Sequence, residues 1–320
     1  MRIQGSRLVL AAVALAFTAT PAMAQLVGMG TGKQGFYTYS AGAAISKVAS
    51  DHGLNMRIQP FGGTSAYVPA VNEREVDFGL ANELETAFAV TGEGVYKGKQ
   101  QPDVRVVSIL TPLRTAFFVR KDSPIKSVAD LKGKRVPVEY TNQRVLHTLT
   151  RGMLANGGLS IDDISPVPVP NVAGGADDFA TGKADVFFFA LGAGKVSETD
   201  AKVGGIRALP FSPDPEAVAR ARKIVPPAYP LEVGPELVGV TAPTPIMAYD
   251  YLVLTSTKVP EETVYQLAKI MHENKSALVA GFKPLAGFNP KRMAKDMGPV
   301  QFHSGAVKYY KEIGAWPPKQ

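Results

Sequence analysis

The chain has 320 residues, no cysteine and a formal net charge of +7 at pH 7. The missing cysteine excludes a disulfide framework, a thiol nucleophile, thiolate metal ligation and a lipid-anchored cysteine behind an export signal. With 45% hydrophobic and 20% charged residues the mix is that of a globular protein, and its basic residues are scattered rather than blocked, which argues against nucleic acid as a partner.

The N-terminus carries Arg2 and Arg7, an apolar run from Leu8 to Phe17, then Pro21-Ala22-Met23-Ala24. A positive end, a short apolar core and an A-x-A exit read as a secretory signal over residues 1–24. The run is shorter than the roughly 20 residues that a bilayer demands. A soluble periplasmic protein is expected. Its remaining length, roughly 300 residues, is natural for two lobes rather than one small core.

Short apolar runs then alternate with helical patterns, which predicts an α/β fold with largely parallel strands. A glycine loop, Gly28 to Gly35, leads through Phe36-Tyr37 into a helix over Ser40–Ser50. Such a loop delivers free backbone N–H groups at the helix N-terminus to a ligand. Gly30-x-Gly32-x-x-Gly35 has dinucleotide-fingerprint spacing, with Asp51 downstream, but the preceding strand is short and such cofactors are scarce outside the cytoplasm. A phosphate loop would need Ser or Thr where Gln34 stands. The glycines therefore read as close backbone approach to a small solute.

Strands are expected at Met56–Pro60, Asp77–Ala81, Val104–Leu110, Arg135–Glu139, Ser165–Val169, Val186–Leu191 and Ile206–Pro210. Phe61-Gly62-Gly63-Thr64-Ser65 and Thr141-Asn142-Gln143-Arg144 each lead a strand into a helix, with hydroxyls placed to cap it. Helices are expected near Gln143–Asn156, Glu216–Ile224 and after Pro260, and a short capped one at Ser127. Leu113–Arg120 and Pro243–Ser256 are extended runs that read as two crossings between lobes: 25–112 with 243–320, and 116–242. The tract Pro213 to Pro245 reads as loop beyond its helix.

Glu75-Val76-Asp77-Phe78 and Lys183-Ala184-Asp185-Val186 are an internal echo, each Asp opening a strand and reading as a turn former. Ligands of open α/β sheets gather at the other, carboxyl ends. Those are Asn82-Glu83 and Leu191-Gly192-Ala193. Arg114, in the first crossing, and Arg144 are the candidate cationic clamps. Tyr37, Tyr67 and Tyr229 are candidates to contact a ligand, with Tyr37 the best placed. His52, His147, His272 and His303 show no metal-ligand spacing, and no G-x-S-x-G elbow is present. No metal site, no cofactor and no enzymatic activity are expected.

The segment Gly30–Glu83, with its glycine loop, aromatic-Tyr pair, Gly-Gly-Thr-Ser helix start and Glu-Val-Asp-Phe-Gly-Leu-Ala-Asn run, resembles the TAXI family of TRAP-transporter solute receptors. The resemblance continues through Val119–Val136 and Gly182–Phe189. It implies a two-lobed receptor of the type II periplasmic binding protein fold, each lobe a mixed sheet flanked by helices, joined by two hinge strands. It also implies delivery of a small anion, such as a carboxylate or acidic amino acid, to a membrane-embedded TRAP permease. The binding positions it implies are Gly32, Gln34, Phe36, Tyr37, Gly63, Thr64, Ser65, Asn82, Glu83, Thr141, Asn142, Gln143, Arg144 and Leu191. Glu83 facing the cleft would oppose a carboxylate unless a cation offset it. A monomer is expected. The alternatives are an ABC-importer receptor of the same fold, a ligand-binding sensor protein and, more distantly, an exported enzyme.

Overall fold

A computed structural model describes residues 26–318; the expected export signal lies outside the described residues. The first part of the chain runs β1 (Val27–Thr31), α1 (Tyr37–Asp51), β2 (Met56–Pro60), α2 (Thr64–Glu73), β3 (Phe78–Asn82), α3 (Glu83–Thr91) and β4 (Val104–Arg120). The middle runs β5 (Arg135–Tyr140), α4 (Val145–Asn156), β6 (Ser165–Val169), α5 (Val172–Ala180), β7 (Phe187–Ala190), α6 (Gly194–Val203), β8 (Ile206–Ala208), α7 (Pro215–Arg222) and β9 (Tyr229–Val233). The return is β10 (Thr244–Ser256), α8 (Glu261–Glu273), α9 (Lys275–Gly281) and α10 (Ser304–Glu312).

An eight-stranded mixed sheet runs β2-β1-β3-β10-β4-β7, with β8 also on β4 and β9 also on β10. β1 pairs parallel with β2 and β3, while β10 is antiparallel to both β3 and β4. β4 and β10 carry the whole arrangement. Ser256 to Tyr251 on β10 pair with Val104 to Thr111 on β4; Asp250 to Met247 then pair with Pro112 to Thr115. Past that point β4 pairs with β7 and β8, and β10 with β9. β5 and β6 form a separate parallel pair.

Three expectations change. The strands are not largely parallel: β10 runs antiparallel to β3, β4 and β9, and β4 runs antiparallel to β7 and β8, because the two long strands lie side by side in opposite directions at the centre of the sheet. Val104–Leu110 and the Leu113–Arg120 crossing are one 17-residue strand. Pro112, which reads as a break, sits opposite Asp250, close to a register irregularity at Tyr251/Leu252, where a missing N–H is tolerated. The proline-rich tract also holds β9, an edge strand bonded only to β10, and an edge accepts Pro230.

The echoed aspartates do more than form turns. Asp77 Oδ2 accepts from Gly28 N at 2.9 Å, pinning β3 beside β1. Asp185 Oδ2 accepts from Arg135 N at 2.8 Å and pairs with the Arg135 guanidinium, pinning the start of β7 beside β5. Among the described residues no helix is long and apolar enough to cross a membrane.

Candidate functional site

The carboxyl ends of β1, β3 and β7 and the starts of α1, α2, α3 and α4 converge on one cavity beside the crossing strands. About 60 Å³ of it is open to the centres of water molecules, more than the roughly 10–15 Å³ that one water needs. Its walls come from all three parts of the chain. Phe36, Tyr37, Thr38, Thr64, Asn82 and Glu85 come from the first, with Leu113 and Thr115 from β4. Gln143, Val145, Leu146, Leu149, Val172, Phe188, Phe189 and Ala190 come from the middle, and Tyr249 and Tyr251 from β10. Most of this surface is aromatic or aliphatic.

Gly32 makes its contribution by having no side chain. A Cβ there would lie 2.4 Å from the Phe36 ring and 2.8 Å from Thr38 Oγ1. Its own N–H donates to Thr38 Oγ1 at 3.0 Å, so the loop sets two lining residues at once. Tyr37 is buried, its hydroxyl 2.9 Å from Thr111 Oγ1, its ring edge-on to Tyr251 and Phe282. Burial raises its phenol above the usual range.

The most unusual group is Glu85, fully buried in the first turn of α3. Its backbone N–H donates to Asn82 Oδ1, the cap of that helix. Its Oε1 accepts from the Tyr96 hydroxyl at 3.2 Å. Its Oε2 has no hydrogen-bond partner, and neither does the buried Thr64 hydroxyl. Burial pushes the carboxyl up to about 7; Thr64, Tyr96 and the Arg144 charge pull it back only in part. The Thr64 hydroxyl is thus near enough to influence the carboxylate without closing hydrogen-bond geometry on it. The helix N-terminus around Glu85 is a favourable place for a negative charge.

Of the sequence-predicted site residues, the structure brings Phe36, Tyr37, Thr64, Asn82 and Gln143 onto the cavity wall. Gly63, Ser65, Asn142 and Arg144 form a seam beside it. Arg144 N donates to Ser65 Oγ at 3.0 Å, and a Cβ on Gly63 would sit 2.2 Å from the Asn142 carbonyl oxygen. A second seam joins Lys195 N to the Gly35 carbonyl at 3.2 Å.

The remaining six stand off the wall. Gln34 and Thr141 are exposed. Gly32 lies behind Phe36. Leu191 is the next residue after the lining Ala190, its N–H bonded to the Arg114 carbonyl; the half-buried Arg114 side chain does not line the cavity. Glu83 turns away to Lys295, at 2.9 Å, which also holds Asp250. The cation that offsets Glu83 is therefore part of the fold. Tyr67 and Tyr229 also lie off the wall.

Sequence reasoning missed Thr38, Glu85, Thr115, Tyr249 and Tyr251. Glu85 was disguised because an acidic residue in a first helical turn reads as dipole complement, and Glu83 two positions earlier took the attention. Two acids two residues apart cannot share a helix face, which was the available signal. Among the described residues no group of three or more His, Asp or Glu could hold a metal ion.

The sequence profile of the NMT1-like family matches residues 29–314. The chain belongs to the NMT1-like family. Its fold matches that of a protein from Bordetella bronchiseptica RB50 at 14% identity and TM-score 0.56, covering 90% of this chain and 98% of the other. It also matches a periplasmic transporter at 16% identity and TM-score 0.55, covering 90% and 92%. A third match, at 16% identity and TM-score 0.50, covers 92% of this chain and 96% of a protein from Methylobacillus flagellatus KT described as a periplasmic sulfonate-binding protein of a sulfonate ABC transporter. This member of the NMT1-like family thus has the type II periplasmic binding protein fold, a mixed α/β architecture around a curled sheet.

Proposed function

We propose that the protein is an extracytoplasmic receptor that encloses a small solute and delivers it to the membrane domain of an importer. The observation that carries this reading is the cavity, walled by the first, middle and last parts of the chain, which are linked by β4 and β10 and touch at the two seams. The lobes are 25–112 with 243–320, and 116–242. The crossing strands are the hinges, and the seams at Gly63–Asn142 and Gly35–Lys195 close when the solute is held. The expected signal over 1–24 supports a periplasmic location for the receptor, and a monomer suffices for the site.

The family match and the fold neighbours favour an ABC importer as the partner. The TAXI motifs in Gly30–Glu83 and Val119–Val136 favour a TRAP permease as the second reading. Uptake by cells carrying the receptor separates the two: loss of uptake when ATP is depleted at constant ion gradient supports the ABC partner, and loss when only the gradient is collapsed supports TRAP. A thermal-shift screen of ligand-stripped protein against sulfonates, carboxylates, amino acids, amines and sugars tests the receptor reading itself. A rise in melting point with one solute class is expected. A flat response of folded protein to every class would overturn it.

A further inference from the structure

The lining of the cavity points away from the anion that the sequence suggests. No arginine or lysine contributes to the wall, and the one ionisable group of low intrinsic pKa that does is a carboxyl. Arg144 acts on Glu85 through its charge but donates nothing to it, and Arg114 acts in the same way on Tyr37. Two polar atoms, Glu85 Oε2 and Thr64 Oγ1, are buried on the wall with no partner. An unsatisfied buried polar atom is costly and a buried charge more so. Aromatic rings from Phe36, Tyr37, Phe188, Phe189, Tyr249 and Tyr251 make up the rest of one side, and ring faces attract cations.

We infer that the solute is a small, largely apolar amine, bound as its ammonium ion, whose N–H groups donate to Glu85 Oε2 and Thr64 Oγ1 while its carbon skeleton packs against the aromatic wall. This deepens the receptor reading and rests on it. An ammonium beside Oε2 stabilises the carboxylate form, so Glu85 loses its O–H proton to solvent as the amine binds. With the empty carboxyl held at about 7 by burial, binding near neutral pH is accompanied by release of a fraction of a proton. The groups facing Glu85 are Tyr67 from α2, Tyr96, Tyr249 and Tyr251 from β10, and Arg144 ahead of α4. Burial lifts all four phenols above their usual range, so Glu85 alone among the carboxyls and phenols here changes charge near neutrality.

The test is titration calorimetry on the full mature chain, stripped of bound solute, with benzylamine and benzoate as probes of similar size and opposite charge. Benzylamine is expected to bind with proton release, read as a dependence of the heat on buffer ionisation enthalpy, and Glu85→Gln is expected to weaken it at least tenfold. Gln keeps the shape and removes a buried charge, so the variant should fold; its melting curve checks this. Mass spectrometry of whatever small molecule natively purified protein releases on denaturation is a second readout, with a nitrogen base expected. Preferred binding of benzoate, release of an anion, or unchanged benzylamine affinity in Glu85→Gln would overturn the amine inference while leaving a receptor. Absence of binding by every class in the thermal screen would overturn the receptor as well.

Discussion

Glu85 links the cavity to pH. Its carboxyl is raised by burial from 4.5 to about 7, so the folded protein holds that proton more tightly than the unfolded chain does. The resulting stability is fully present below about pH 4.5 and is lost as pH rises through about 7. The loss is on the order of 3 kcal/mol. Glu85→Gln abolishes this titration. The ligand-free variant should therefore match wild type at pH 4 and melt several degrees above it at pH 8, the pattern of a site that sacrifices stability for binding. Parallel melting curves across that range would contradict the burial of a charged group. A smaller effect is expected at Tyr37→Phe, which leaves the buried Thr111 hydroxyl without its partner. Urea unfolding should register a cost of about 1–2 kcal/mol; no change would mean that the pair contributes nothing.

Among the elements, α2 and α4 meet nose to nose, and the contact tolerates no side chain at Gly63. Its φ of 166° is extended backbone that any residue adopts, so the demand for glycine comes from the Asn142 carbonyl 2.2 Å from where a Cβ would sit. If the proposed closure brings α4 against Gly63 only when solute is held, Gly63→Ala should leave the ligand-free melting point within a degree or two of wild type but weaken solute binding at least tenfold. An unchanged affinity would show that the seam does not close on the solute. Asp77 and Asp185 act within the layers. Asp77→Ala strands the Gly28 N–H and should cost about 1–2 kcal/mol in urea unfolding. Most of the elements were legible in the residues: β2 and β6 at their full extent, α4 to within two residues, and α8 at its start behind Pro260. The long β4 and the edge strand β9 were not, because proline signals a break in sequence while sheet edges and bulges absorb it.

At the level of the whole molecule, alternating patterning anticipated an α/β fold but largely parallel strands, where the sheet is mixed; the two extended runs, Leu113–Arg120 and Pro243–Ser256, fall in the long strands β4 and β10. The fold neighbours agree with the α/β architecture. The site was legible in outline only. Backbone turns such as Gly32–Tyr37 and Gly63–Thr64 announce themselves through glycine and hydroxyl spacing. Which side chains then face inward depends on helix phase: Glu85 points in and Glu83 out to Lys295, a difference that spacing to the preceding strand does not reveal. Arg114 and Arg144 were legible as charges in the sequence, but their orientation was not, and neither side chain lines the cavity.

The most direct measurement is a crystal structure of the mature protein with the tightest-binding solute from the thermal screen. The account predicts the solute enclosed between Phe36, Thr64, Glu85, Gln143 and Tyr249, with the Gly63–Asn142 seam closed over it. A solute bound elsewhere on the molecule, with this cavity holding only water, would contradict it.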